Sequence, residues 1–190
     1  MRILQGGLIV TPTAVLRDHA IILAEGRIAA IVPAGTELDR FAEGDTDDVG
    51  GAYIIPGIID IHSDYIEHMA APRPTSLVDF RLALREAERE LITHGVTSMY
   101  HSLSLYDFTE FSPSEVRNPK NTHRLIELVQ RSHESEHLIR HRFHARFEID
   151  NLNRVAELEG YIRNGTVHLI SFMDHTPGQG QYRDLEIYRA

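Results

Sequence analysis

The run Ile59-Asp60-Ile61-His62-Ser63-Asp64 is an apolar segment that ends in His-x-Asp. In a strand, alternate side chains share a face, so His62 and Asp64 can point to one side at the carboxyl end and reach a single cation. Glu67 and His68 follow in the next loop. A lone His-x-Asp is a weak signal, but two later segments end in the same residue types. Residues 143–148 read Phe-His-Ala-Arg-Phe-Glu, which sets His144, Arg146 and Glu148 on one alternating face, and residues 171–175 read Ser-Phe-Met-Asp-His, carrying Asp174 and His175. Unpaired carboxylates are rarely buried, so three such strand ends point to a shared polar site rather than to packing. The chain has no cysteine, which leaves histidine and carboxylate as metal ligands, a set that suits zinc, manganese or iron.

The elements that must position these residues follow from hydrophobic spacing. Residues 2–11, 19–24 and 27–32 read as short strands, with Glu25-Gly26 as a tight hairpin turn. From Pro56 the pattern changes. Strands are expected at 58–61, 96–105, 143–149 and 167–173, and helices at 76–93, 121–132 and 152–163. In the first helix Ser76 is the expected N-cap, Gly95 the terminator, and Val78, Leu82, Leu84, Ala87, Leu91 and Ile92 the inward face. In the second, Leu125, Leu128 and Val129 face inward. Strand and helix in alternation imply a parallel sheet with right-handed crossovers, which a doubly wound fold and a (β/α)8 barrel satisfy equally. The connection 106–120, with Pro113 and Pro119, reads as a loop over one end of that sheet.

Composition excludes several function classes. Nineteen basic against 28 acidic side chains leave a formal charge of −9, which argues against nucleic acid as a partner, since phosphate backbones select basic faces. There is no signal-peptide pattern and no apolar run of membrane-spanning length, so a cytoplasmic protein without a membrane partner is expected. His101, His123, His133, His137 and His141 read as satisfied core or surface residues. Gly178-x-Gly180 lacks the third glycine and the helix start of a nucleotide loop. Arg73, between Pro72 and Pro74, is a rigid loop cation, as apt to be solvated as to hold a phosphate oxygen.

The β-rich start followed by Ile54-Ile55-Pro56-Gly57-Ile58-Ile59-Asp60-Ile61-His62-Ser63-Asp64 resembles the amidohydrolase superfamily, in which a small β-sandwich leads into a metal-bearing barrel through P-G-x-x-D-x-H-x-(H/D/E). Residues 62–68, Pro72-Arg73-Pro74 and Phe172-Met173-Asp174-His175-Thr176-Pro177-Gly178-Gln179 resemble, more narrowly, its phosphonate-metabolism branch in the carbon–phosphorus lyase pathway. The resemblance implies a metal-dependent hydrolase that releases diphosphate from the 5-triphosphate of a ribose phosphonate. It implies a divalent metal, zinc first among the candidates, held by His62, Asp64 and Glu148. Glu67, His68, Arg73, His144, Asp174 and His175 are then candidates for substrate binding or a secondary site. The fold it implies is an incomplete (β/α)8 TIM-type barrel of about four strand–helix units over 56–190, preceded by part of a small β-sandwich over 1–55.

The chain departs from that family in length. A (β/α)8 barrel takes about 250 residues, and residues 56–190 supply about half. The aspartate that usually accepts the proton from metal-bound water is expected beyond residue 190, so no general base is named. The tail 184–190 reads like a helix without a stop signal, as in a fragment or truncated product. Open edges of a half barrel call for a second copy or the missing half as partner. Two other functions remain open: another amidohydrolase-type hydrolysis, of amides or cyclic phosphates, and a non-catalytic metal-binding or oligomerising fragment.

Overall fold

A computed structural model of the 190-residue chain describes residues 1–35, 37–41, 43–73, 76–105, 115–134, 137–175, 178 and 183. It divides into two compact units, Met1–Pro56 and Gly57–Ala190.

The first unit is built of strands with one short 3-10 helix, Leu38–Phe41. β1 (Arg2–Gln5), β4 (His19–Ala24), β5 (Arg27–Pro33) and β6 (Asp45–Asp48) form a sheet in the order β5-β4-β1-β6, and β2 (Leu8–Val10), β3 (Val15–Leu16) and β7 (Tyr53–Ile54) form a second in the order β3-β2-β7. Ile3, Ala20 and Ile22 make the core, with Val32 and Phe41 packed on it. The turn between β4 and β5 has Glu25 at φ 52° and Gly26 at φ 72°, the two left-handed residues of a two-residue hairpin whose twist matches the strands. The expected single strand 2–11 is two strands in different sheets. Gly6 sits at φ 72°, where a Cβ would approach Asp48 Oδ1 to 2.2 Å, and the chain turns there.

The second unit runs β8 (Ile58–Ser63), α1 (Tyr65–Ala70), α2 (Phe80–Thr93), β9 (Val96–Leu105), α3 (Pro119–Arg131), β10 (Arg140–Glu148), α4 (Val155–Arg163) and β11 (Leu169–Met173). All three pairings are parallel and the strand order is β8-β9-β10-β11. Consecutive order places each crossover on the next strand, as in a barrel wall, whereas a doubly wound sheet reverses direction at a switch point. Phe143, Ala145 and Phe147 of β10 and Leu103 and Leu105 of β9 share a core with Ala83, Leu84 and Ala87 of α2 and Leu125, Ile126 and Val129 of α3. By strand alternation, His144, Arg146 and Glu148 then face the other side.

Local capping corrects two sequence expectations. α2 starts at Phe80, and its cap is Asp79, whose Oδ1 accepts from the amides of Arg81 at 3.0 Å and Leu82 at 3.1 Å. Ser76 instead bridges back to Arg73. The shifted start rotates the buried stripe to Phe80, Ala83, Leu84, Ala87 and Glu88, and Leu82 is exposed. Asn118 caps α3 with Pro119 as its first residue, so only 115–118 of the described residues remain of the expected long loop, and 106–114 lie outside the description. Gly95, at φ 78°, ends α2 as expected. Asp79→Ala should lower stability by about 1 kcal/mol, read from the urea midpoint at unchanged slope, because it orphans two first-turn amides.

Candidate metal centre

The sheet brings residues distant in sequence to one end. His62 lies at the end of β8 before Ser63, Asp64 follows it at the start of α1, Glu148 ends β10, and His175 follows β11. Between Asp60 and Ser63 the pairing with β9 shifts register, and the His62 amide donates to Asp60 Oδ1 at 3.0 Å. That irregularity turns the strand end. His62 packs edge-to-face on His144, ring centroids 5.2 Å apart. Asp64 takes Arg146 Nη1 on both oxygens, at 3.1 and 3.3 Å. Glu148 Oε1 lies 2.6 Å from His175 Nδ1.

His144 sits 3% exposed between two hydroxyls, Ser102 Oγ to Nδ1 and Ser171 Oγ to Nε2, each at 3.0 Å. Burial, then the neighbouring His62 and the cationic Arg146, hold its pKa below the usual histidine value. This ring is therefore neutral at physiological pH and already paired through both nitrogens. Arg146 is largely enclosed, and its Nε has no hydrogen-bond partner among the described residues. A buried donor without an acceptor is costly, so it is a place where an oxyanion is welcome.

The remaining sequence candidates separate from this group or stand at its margin. Glu67 is buried in α1 and paired with Arg117 at 2.7 Å; burial raises its pKa against the pull of that guanidinium. His68 is exposed on α1, Arg73 forms the bridge to Ser76, and Asp174 is exposed after β11. Thr176, Pro177 and Gln179 of the 172–179 run lie outside the described residues. Among the described residues no three His, Asp or Glu side chains converge on one point: Asp64 is engaged by Arg146 and Glu148 by His175, so the donors stand as pairs. Their chemistry, nitrogen and oxygen without thiolate, fits a hard or borderline divalent ion.

Arg146, Ser102 and Ser171 were not singled out as site residues by sequence. The signal available was the alternation in β10 that carries Arg146 between His144 and Glu148; nothing local indicated that its partner lies 82 residues earlier.

No family model matches the chain. It is 25% identical over 164 residues to the alpha-D-ribose 1-methylphosphonate 5-triphosphate diphosphatase of Escherichia coli K12, a match that covers 86% of this chain and 41% of that protein. Among solved structures it is similar to N-acetylglucosamine-6-phosphate deacetylase from Pasteurella multocida, with a TM-score of 0.57 at 13% identity over 90% of this chain and 44% of the other. It is also similar to atrazine chlorohydrolase from Arthrobacter aurescens TC1 complexed with zinc, with a TM-score of 0.54 at 17% identity over 90% and 46%. The chain thus spans less than half the length of each. In sequence with the diphosphatase and in fold with the two hydrolytic enzymes, the resemblance to the amidohydrolase superfamily and its phosphonate-metabolism branch holds.

Proposed function

We propose that this chain is the metal-bearing first half of a cytoplasmic hydrolase that releases diphosphate from ribose 1-methylphosphonate 5-triphosphate. The observation that supports the reading is the pairing of Asp64 with Arg146, of His62 with His144 and of Glu148 with His175 at the carboxyl ends of parallel strands, in a chain similar in sequence to a diphosphatase of that substrate. On this reading residues 1–55 belong to a small β-domain and 56–190 to an incomplete barrel. Ile58, Ile59 and Ile61 on the edge strand β8 are 47%, 61% and 59% exposed, an apolar edge suited to a second copy or to the other half of the barrel.

His62, Asp64 and Glu148 are the residues that would hold a divalent ion, zinc by analogy with the atrazine chlorohydrolase complex. Such an ion, when bound, lowers the pKa of water and offsets phosphoryl charge. His144, kept neutral and fixed by Ser102 and Ser171, orients His62 through the ring contact. Arg146 offers its unpartnered Nε to a phosphoryl oxygen.

Because Arg146 and a metal compete for Asp64, Arg146→Gln should tighten zinc binding and Asp64→Ala or Glu148→Ala should weaken it, as read by calorimetric titration of the chain. In the complete gene product, Asp64→Ala should cut diphosphate release from that triphosphate by more than about 100-fold, beyond the range typical of supporting residues. Undiminished turnover, or faster turnover on an amide panel than on the triphosphate, overturns the assignment.

A further inference from the structure

A cavity of about 120 Å³ opens between α2 and α3, and Arg81, Arg85, Glu88, Arg131, His137 and His141 are among its lining residues. It adjoins a second hollow of about 390 Å³ that shares Arg81 and Arg131 and adds Arg124 with the carboxylates of Asp79 and Glu127. Arg124 is engaged, 3.7 Å from Asp79 and over the Phe80 ring. The guanidiniums of Arg81, Arg85 and Arg131 have neither hydrogen bond nor ion pair among the described residues. Against these three cations the wall holds one carboxylate, Glu88, whose Oε1 accepts from the amides of Leu138 at 2.5 Å and Ile139 at 3.2 Å and lies 3.2 Å from His141 Nε2.

Arg81 and Arg85 are one helical turn apart, and like charges at that spacing repel. In a chain of net charge −9, three exposed arginines lining one concave wall outnumber its single carboxylate, a locally inverted field, and a planar fork of donors matches tetrahedral oxyanions. His141 is the second residue of β10 and Glu148 the last, so at roughly 3.3 Å per residue this cavity stands about 23 Å along the strand from the candidate metal centre.

We propose that this groove is a second, separate site that binds the dianionic phosphoryl group of a small molecule or free phosphate or diphosphate. The site does not depend on the hydrolase reading. The test is calorimetric titration of the 190-residue chain with inorganic phosphate, inorganic diphosphate and ribose 5-phosphate, using sodium chloride at matched ionic strength as control. Saturable one-to-one binding is expected, weakened at least about tenfold by Arg85→Gln and again by Arg131→Gln, and unchanged by Asp64→Ala. The relative affinities of the three probes separate a free anion from a sugar-linked phosphoryl as the occupant. Circular dichroism melting of the two arginine variants checks that the fold is intact. Absence of saturable binding, binding reproduced by chloride alone, or binding abolished by Asp64→Ala and untouched by the arginine substitutions overturns the proposal.

Discussion

Phe143→Ala is expected to lower the stability of the second unit by about 3–5 kcal/mol, the range for emptying a phenylalanine site in a close-packed core. Phe143 is fully buried in the middle of β10, the strand that pairs with both β9 and β11, and it belongs to the cluster that joins the sheet to α2 and α3. A void there cannot collapse without moving a strand held on both sides. Urea unfolding followed by far-UV circular dichroism measures the effect; a loss below about 1 kcal/mol would mean that β10 is not the centre of the packing. The equivalent truncation of Leu82, exposed on α2, should be near neutral and serves as the contrast.

Acidification should weaken the fold well before most carboxylates titrate. His101 Nε2 lies 2.9 Å from His141 Nδ1, His141 Nε2 lies 3.2 Å from Glu88, and His101 Nδ1 is buried with no partner among the described residues. Burial, then the adjacent His141, pushes the His101 pKa down to about 3 from 6.5. Below pH 6.5 the unfolded chain takes up a proton at this ring and the folded chain does not, so the unfolded state binds more protons and stability falls as pH falls, until the folded ring titrates near pH 3. One such proton is worth about 1.4 kcal/mol per pH unit, or about 2 kcal/mol between pH 6.5 and 5. Glu88 adds to the loss lower down: burial works against its charge, but the Ile139 and Leu138 amides and His141 outweigh it and hold the carboxyl below its usual range. Glu67, raised by burial, acts in the opposite direction. Urea midpoints at pH 6.5 and 5 should show the fall, and in His101→Leu the slope should drop by about one proton. An unchanged slope in that variant would place the titrating group elsewhere.

The alternation of strands and helices in the second unit was legible because each helix carries an apolar stripe and each buried strand an apolar face, both local properties. Helix starts were less so: Ser76 and Asp79 are both acceptable caps by type, and the choice was made by Phe80, whose burial fixes where the helical face begins. β6 was invisible, since Asp-Thr-Asp-Asp has no strand propensity and is extended only because it pairs with β1 over four residues. His101 and His141, read as satisfied core or surface residues, lie in the core, though His101 Nδ1 has no partner among the described residues; their chain of contacts to Glu88 links residues 40 and 53 positions apart and has no local signature. At the candidate site, alternation put His144, Arg146 and Glu148 on one face. What spacing could not supply is which carboxylate each base meets, because that is decided by the parallel register across four strands.

β6 also has a bearing on how this molecule behaves in company. It is one of the two edge strands of its sheet, and three of its four residues are aspartate. A free sheet margin is a template on which another chain's backbone can crystallise strand by strand, and carboxylates along it make each newcomer meet concentrated negative charge. Residues with little intrinsic preference for a strand thus act as gatekeepers against uncontrolled growth at this margin of the sheet.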